Sequence, residues 1–157
     1  MTSAPRVSRK GLLAAIAAFM VLLSALSISA PPAGAAESRR WPELSQYWPD
    51  GRNGGPREYA FHDVSTDTRN YHLNHCPRGY LCVAAGEGDG QHTVFILYYC
   101  TSRSLYYFHD RGAVTNNQYG SWASVMYEDH SPYTLIESNN RSVSIPWDPI
   151  YYLDPCI

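Results

Sequence analysis

Apolar and polar positions divide the chain into three stretches. Gly11–Ala30 is an almost uninterrupted apolar run. Residues 37–75 hold no sustained period of 2 or 3.6. From Cys76 onward the chain breaks into short apolar or alternating segments. Tyr80–Ala84 is apolar and bounded by glycine on both sides. Thr93–Tyr99 is dense in β-branched and aromatic residues, the pattern of a strand buried on both faces. Leu105–Phe108 is a further candidate strand, followed by His109–Gly112 read as a turn. Trp122–Tyr127 alternates, with Trp122, Ser124 and Met126 on one face and Ala123, Val125 and Tyr127 on the other. Tyr133–Glu137, Arg141–Ile145 and Ile150–Leu153 follow, with Pro, Asn and Asp between them. Short strands at such regular spacing predict an all-β sandwich or barrel, and helix signals are nearly absent after the first run.

The middle stretch is read as an irregular N-terminal extension, 37–75. Trp41–Pro56 is rich in Pro, Gly and Asn and reads as loop. One short strand is plausible around Tyr59–Val64. The folded domain is expected over 76–157.

The first stretch sets the expected compartment. Arg6, Arg9 and Lys10 precede the apolar run, and PPAGAA (Pro31–Ala36) supplies small residues suited to cleavage after Ala35 or Ala36. A signal peptide over 1–36 is therefore expected, although the run is long enough to approach a bilayer span. A secreted, extracellular protein with no membrane association after leader removal is the expectation.

Charge then narrows the partners. Past the leader, nine arginines stand against fourteen acids, a formal charge of −5, and no lysine remains because Lys10 is the only one. Without a basic patch, nucleic acid is not an expected partner. Four cysteines in an exported chain imply two disulfides with three possible connectivities. Cys76–Cys82 is favoured because Pro77 and Gly79 bend the chain back between them. Cys100–Cys156 would tie the C-terminus to a core strand. In the chain-entropy model the longer loop contributes on the order of 4 kcal/mol.

CPRGYLC (Cys76–Cys82), the glycine-rich turn after it, the apolar strand, Asn116-Asn117-Gln118-x-Gly120-Ser121 and a closing Trp147-Asp148-Pro149 with Pro155-Cys156 also carry a resemblance. Together they resemble the secreted actinobacterial peptidase-inhibitor family typified by the streptomycete metalloproteinase inhibitor. The resemblance covers about Cys76–Cys156 and implies a βγ-crystallin-like Greek-key sandwich held by disulfides. It further implies inhibition of an extracellular metalloprotease or serine protease. In the crystallin corner pattern Gly90 fits, but Val83 and Gly88 stand where aromatics belong. In the crystallin calcium pattern, N/D-N/D-x-x-S/T-S, Gly120 stands where a hydroxyl belongs.

Candidate chemistry is sparse. Asn116, Asn117, Gln118 and Ser121 offer oxygen ligands that suit calcium, or a turn in which the asparagines bond local backbone. Glu87 and Asp89 in GEGDG read as a solvated hairpin loop without EF-hand spacing. His72-x-x-His75 beside Cys76, with His62 and Asp63 upstream, is the best zinc candidate, yet Cys76 is expected in a disulfide. No nucleophile elbow, HExxH or Cys-His context marks an enzyme. All thirteen tyrosines follow the leader, several as neighbours, and can present rings for protein or carbohydrate contact. A monomer without cofactor is expected. The expected function is peptidase inhibition through Arg78, Gly79 and Tyr80 or through Tyr106 and Tyr107 in the Tyr106–Gly112 loop. The alternatives are a calcium- or glycan-binding cell-envelope module and a small secreted enzyme.

Overall fold

The computed structural model describes residues 40–157; the expected leader and its cleavage site lie outside the described residues. Ten strands and one helix follow in the order β1 (Glu43–Leu44), β2 (Tyr59–Val64), α1 (Thr66–Asn74), β3 (Leu81–Gly86), β4 (His92–Leu97), β5 (Arg103–Tyr106), β6 (His109–Asn116), β7 (Ala123–Met126), β8 (Pro132–Ile136), β9 (Ser142–Pro146) and β10 (Tyr152–Asp154). Two five-stranded antiparallel sheets form, ordered β1-β5-β10-β7-β8 and β2-β4-β3-β6-β9. Strands β5 and β9 each sit in the sheet opposite to their chain neighbours, so the two halves of the chain exchange a strand.

Side chains from both sheets meet in one core of Leu81, Val83, Phe95, Leu97, Val125, Leu153 and their neighbours. Trp147 is fully buried there and its indole N–H donates to Ala84 O at 2.8 Å. The approach is so close that a Cβ on Gly112 would lie 2.3 Å from Trp147 Nε1 and 1.8 Å from Ala84 O. Only glycine fits between them.

A second apolar cluster lies where α1 covers Cys82, Ala84, Val94 and Ile96 with Leu73 and the Cys76 side chain. This is why β3 and β4 are buried at every position. The disulfides join Cys76 to Cys82 and Cys100 to Cys156, the pairing expected from the chain.

From residue 40 onward the expected extension belongs to the same compact unit as the rest; the strand expected at Tyr59–Val64 forms there as β2, while β1 and α1 replace the irregular chain expected around it. β1 adds to the edge of one sheet through β5, and β2 adds to the edge of the other through β4. Helix α1 starts at Ser65, whose Oγ accepts from Thr68 N at 3.3 Å, with Asp67 in the first turn where the helix dipole favours an acid. It escapes a pattern reading because Leu73 is its only buried residue. His109–Gly112 is likewise not a turn but the first half of β6. The reversal falls just before it, at Tyr107 (φ 59°), and the left-handed Asp110 (φ 56°) accompanies a register shift against β3.

Candidate functional site

One end of the sandwich gathers an aromatic and cationic surface around a buried ion pair. Glu58, just before β2, and Arg103, the first residue of β5, are both fully enclosed and meet at 2.6 Å. Glu58 also accepts from the backbone N–H groups of Trp48, Tyr98 and Tyr99. Arg103 donates further to Gln46 O and Tyr99 O, and its guanidinium lies 5.3 Å from the Trp48 ring centre. Both carboxylate oxygens and both terminal nitrogens of the guanidinium are bonded, with only the buried Arg103 Nε left without a partner among the described residues, which is what makes a buried charge pair tolerable. The pair holds 46–58 in place, joined by Tyr99, whose hydroxyl donates to Pro56 O and accepts from Arg52 N. An Arg-Glu pair separated by 45 residues leaves no local sequence signal.

Beside it sits the turn closed by the first disulfide. Tyr80 N donates to Pro77 O at 3.1 Å, and Gly79 is left-handed (φ 89°), as the third position of a type II turn requires. A Cβ on Gly79 would come within 2.9 Å of the Tyr119 ring. Asn117 braces the turn from within. Its side-chain amide donates to Cys76 O at 2.7 Å, its backbone N–H to Tyr80 O at 3.0 Å, and its carbonyl accepts from Gly79 N at 2.8 Å. Arg78 is exposed at the tip, 5.2 Å from the centre of the Tyr119 ring. Tyr119 is itself 70% exposed.

From Tyr80 the rings run on to Tyr98, Tyr99 and Trp48 at centroid separations of 5.3 Å each. Burial, and then the neighbouring Tyr59, Tyr98 and Tyr99, hold the Tyr80 hydroxyl protonated above its ordinary range. A cleft of about 230 Å³ opens between Tyr98, Tyr99 and Tyr119, floored by Gln118 and the second disulfide. Gln118 donates to Cys156 Sγ at 3.2 Å, while its buried carbonyl oxygen makes no hydrogen bond among the described residues.

The four residues considered for calcium follow closely in the chain; the side-chain amides of Asn116 and Asn117 are spent on backbone carbonyls, whereas Gln118 Oε1 makes no hydrogen bond among the described residues. Asn116 is fully buried, its amide donating to Ser121 O and Ile136 O and its carbonyl accepting from Gln118 N. The bonds with Ser121 O and Gln118 N are the local backbone bonding of the turn reading, and the bond to Ile136 O ties the turn to β8. The other expected contact loop is less braced: Tyr106 and Tyr107 are exposed, with Tyr107 OH accepting from Arg40 at 2.7 Å.

The zinc candidates are dispersed into ring stacks. His72 lies on Phe61, His75 on Tyr71 and His62 on Trp41. Among the described residues no group of three or more His, Cys, Asp or Glu is placed to hold a metal ion.

Glu87 corrects the solvated-hairpin reading. It is buried and its Oε1 accepts from Asp63 N and the Thr93 hydroxyl. Nearby His92 is also buried, with Nε2 3.2 Å from Thr66 Oγ1. Burial, reinforced by the Arg69 charge, holds its pKa below the ordinary value against the opposing pull of Glu87 and Asp110.

No family model, no curated protein and no solved structure matches this chain. Among the described residues no helix is long and apolar enough to cross a membrane.

Proposed function

We propose that this protein is a secreted inhibitor of an extracellular peptidase, of βγ-crystallin-like build, and that the Arg78 turn meets the protease. The observation that carries this reading is the bracing of that turn by Asn117 and the Cys76–Cys82 disulfide. A loop whose ordering cost is already met on folding binds without losing that entropy again, and resists being drawn into a cleavable shape. Arg78 supplies an exposed cation for an acid-lined cleft, with Tyr119 and Tyr98 as flanking rings. The exchange of β5 and β9 between sheets supports two interlocked Greek keys, β3–β6 and β7–β10. Two disulfides are compatible with an oxidising, extracellular setting.

The test is a titration of purified protein against thermolysin-, subtilisin- and trypsin-type enzymes. Inhibition near one-to-one stoichiometry with the protein left uncut is expected, weakened about tenfold or more by Arg78→Ala, as loss of a charge-assisted contact implies. Failure against all three removes the reading.

The aromatic cleft favours a second reading, glycan binding without inhibition. Tyr98, Tyr99 and Tyr119 offer ring faces for a sugar, and the Gln118 carbonyl oxygen offers an acceptor for a hydroxyl. Retention on a polysaccharide matrix, lost in Tyr119→Ala, distinguishes it.

A further inference from the structure

A second cleft, which shares no lining residue with the aromatic one, runs between α1 and the strands β6 and β9. Its volume is about 500 Å³, within the roughly 300–1,000 Å³ of small-molecule sites and more than a bare oxyanion fills. Its walls are cationic and hydroxylated: Arg69 and Asn70 from α1, Arg111 from β6, and Ser142 and Ser144 from β9. No acidic side chain lines it. On a chain that is acidic after its leader, this concentrates positive charge in one concave place.

The donors are prepared and largely unspent. Arg69 is held by Nε and Nη2 donating to the Asn70 side-chain oxygen at 3.1 and 2.8 Å, which leaves Nη1 without a bond among the described residues. Arg111 is exposed and makes no side-chain hydrogen bond or ion pair among the described residues, nor does the exposed Ser144 hydroxyl. Ser142 Oγ is fixed 2.6 Å from Thr115 Oγ1. Arg57 and Arg103, by contrast, are neutralised by Asp50 and Glu58. Two guanidinium groups and two hydroxyls lining one cleft match the several acceptor oxygens of a phosphate, which guanidinium engages in paired hydrogen bonds. Asn70 and Asn74 line the remaining space and suit the hydroxyls of an attached polyol.

We infer that this cleft binds the phosphate monoester of a sugar, with Arg69 and Arg111 gripping the phosphate. The tests are calorimetric titrations of the protein with glucose 6-phosphate, inorganic phosphate and glucose. Glucose 6-phosphate is expected to bind, inorganic phosphate about tenfold more weakly, and glucose not measurably. Arg111→Ala is expected to weaken glucose 6-phosphate about tenfold or more, the size of a lost charge-assisted contact, without lowering the melting temperature. Ser144→Glu, on an exposed position, is expected to abolish binding by placing a like charge in the cleft. Absence of glucose 6-phosphate binding, or binding that both variants leave unchanged, overturns the inference. Equal affinity for inorganic phosphate overturns the sugar-ester assignment.

Discussion

The two sheets solve burial differently. The sheet β2-β4-β3-β6-β9 is covered by α1, so β3 and β4 are buried at every residue. The sheet β1-β5-β10-β7-β8 has no such cover among the described residues, and its strands mix core positions such as Leu105 and Leu153 with exposed Tyr106, Tyr133 and Leu135. An unbroken apolar run is thus a record of a covering element, and alternation a record of solvent on one side. The covering helix itself comes from the stretch with the weakest pattern in the described chain.

The largest test of this contrast is at the ion pair that ties the segment before β2 to β5 in the opposite sheet. Glu58→Ala leaves Arg103 charged and enclosed without its partner, and is expected to cost roughly 3–5 kcal/mol in denaturant unfolding. Asp50→Ala, which opens the exposed Arg57–Asp50 pair, is expected to cost less than about 1 kcal/mol in the same assay. If the two costs were equal, Glu58 would not be what anchors the segment.

Leu73→Ala removes the one apolar contact α1 buries, with an expected cost of about 2–4 kcal/mol and early loss of amide protection in β3 and β4. Leu135→Ala on the uncovered sheet is expected to cost well under that, because this side chain is already 47% exposed. Comparable losses at both sites would mean that the helix does not protect its sheet.

Asn116→Ala strips two carbonyls and one N–H of their partner in a buried place. It is expected to lower stability by roughly 1–3 kcal/mol, while calcium leaves the melting temperature of the parent unchanged. A calcium-dependent rise would instead make these residues ligands.

The smallest expected effect is with pH. His92 and His72 are held below the ordinary histidine range, chiefly by burial. Well above the ordinary histidine pKa of about 6.5 both are neutral folded or unfolded and contribute no slope. As pH falls below that value the unfolded chain takes up protons that the folded chain resists, so stability declines. His92→Gln is expected to flatten that decline in melting temperature against pH; an unchanged slope would remove His92 as its source.

Much of the architecture from Cys76 onward is written locally. Thr93–Tyr99 announces a strand enclosed on both faces, and the bends at Pro77 and Gly79 bring Cys76 to Cys82. The Asn116–Ser121 segment also reads locally as a turn. What the sequence did not disclose are pairings over long separations. Glu58 with Arg103 looks like two unrelated surface charges, Glu87 like a solvated loop acid, and Arg69 with Arg111 like two scattered cations. Each is decided by which strands become neighbours. Near-range signals exist because the backbone imposes a period of 2 or 3.6 on whatever face is buried. Long-range ones do not, because a buried charge pair or a cleft requires only that two residues meet in space. In this protein the chain by itself determined a disulfide-stapled β-sandwich, and only its tertiary structure decided which charges are enclosed and which remain exposed.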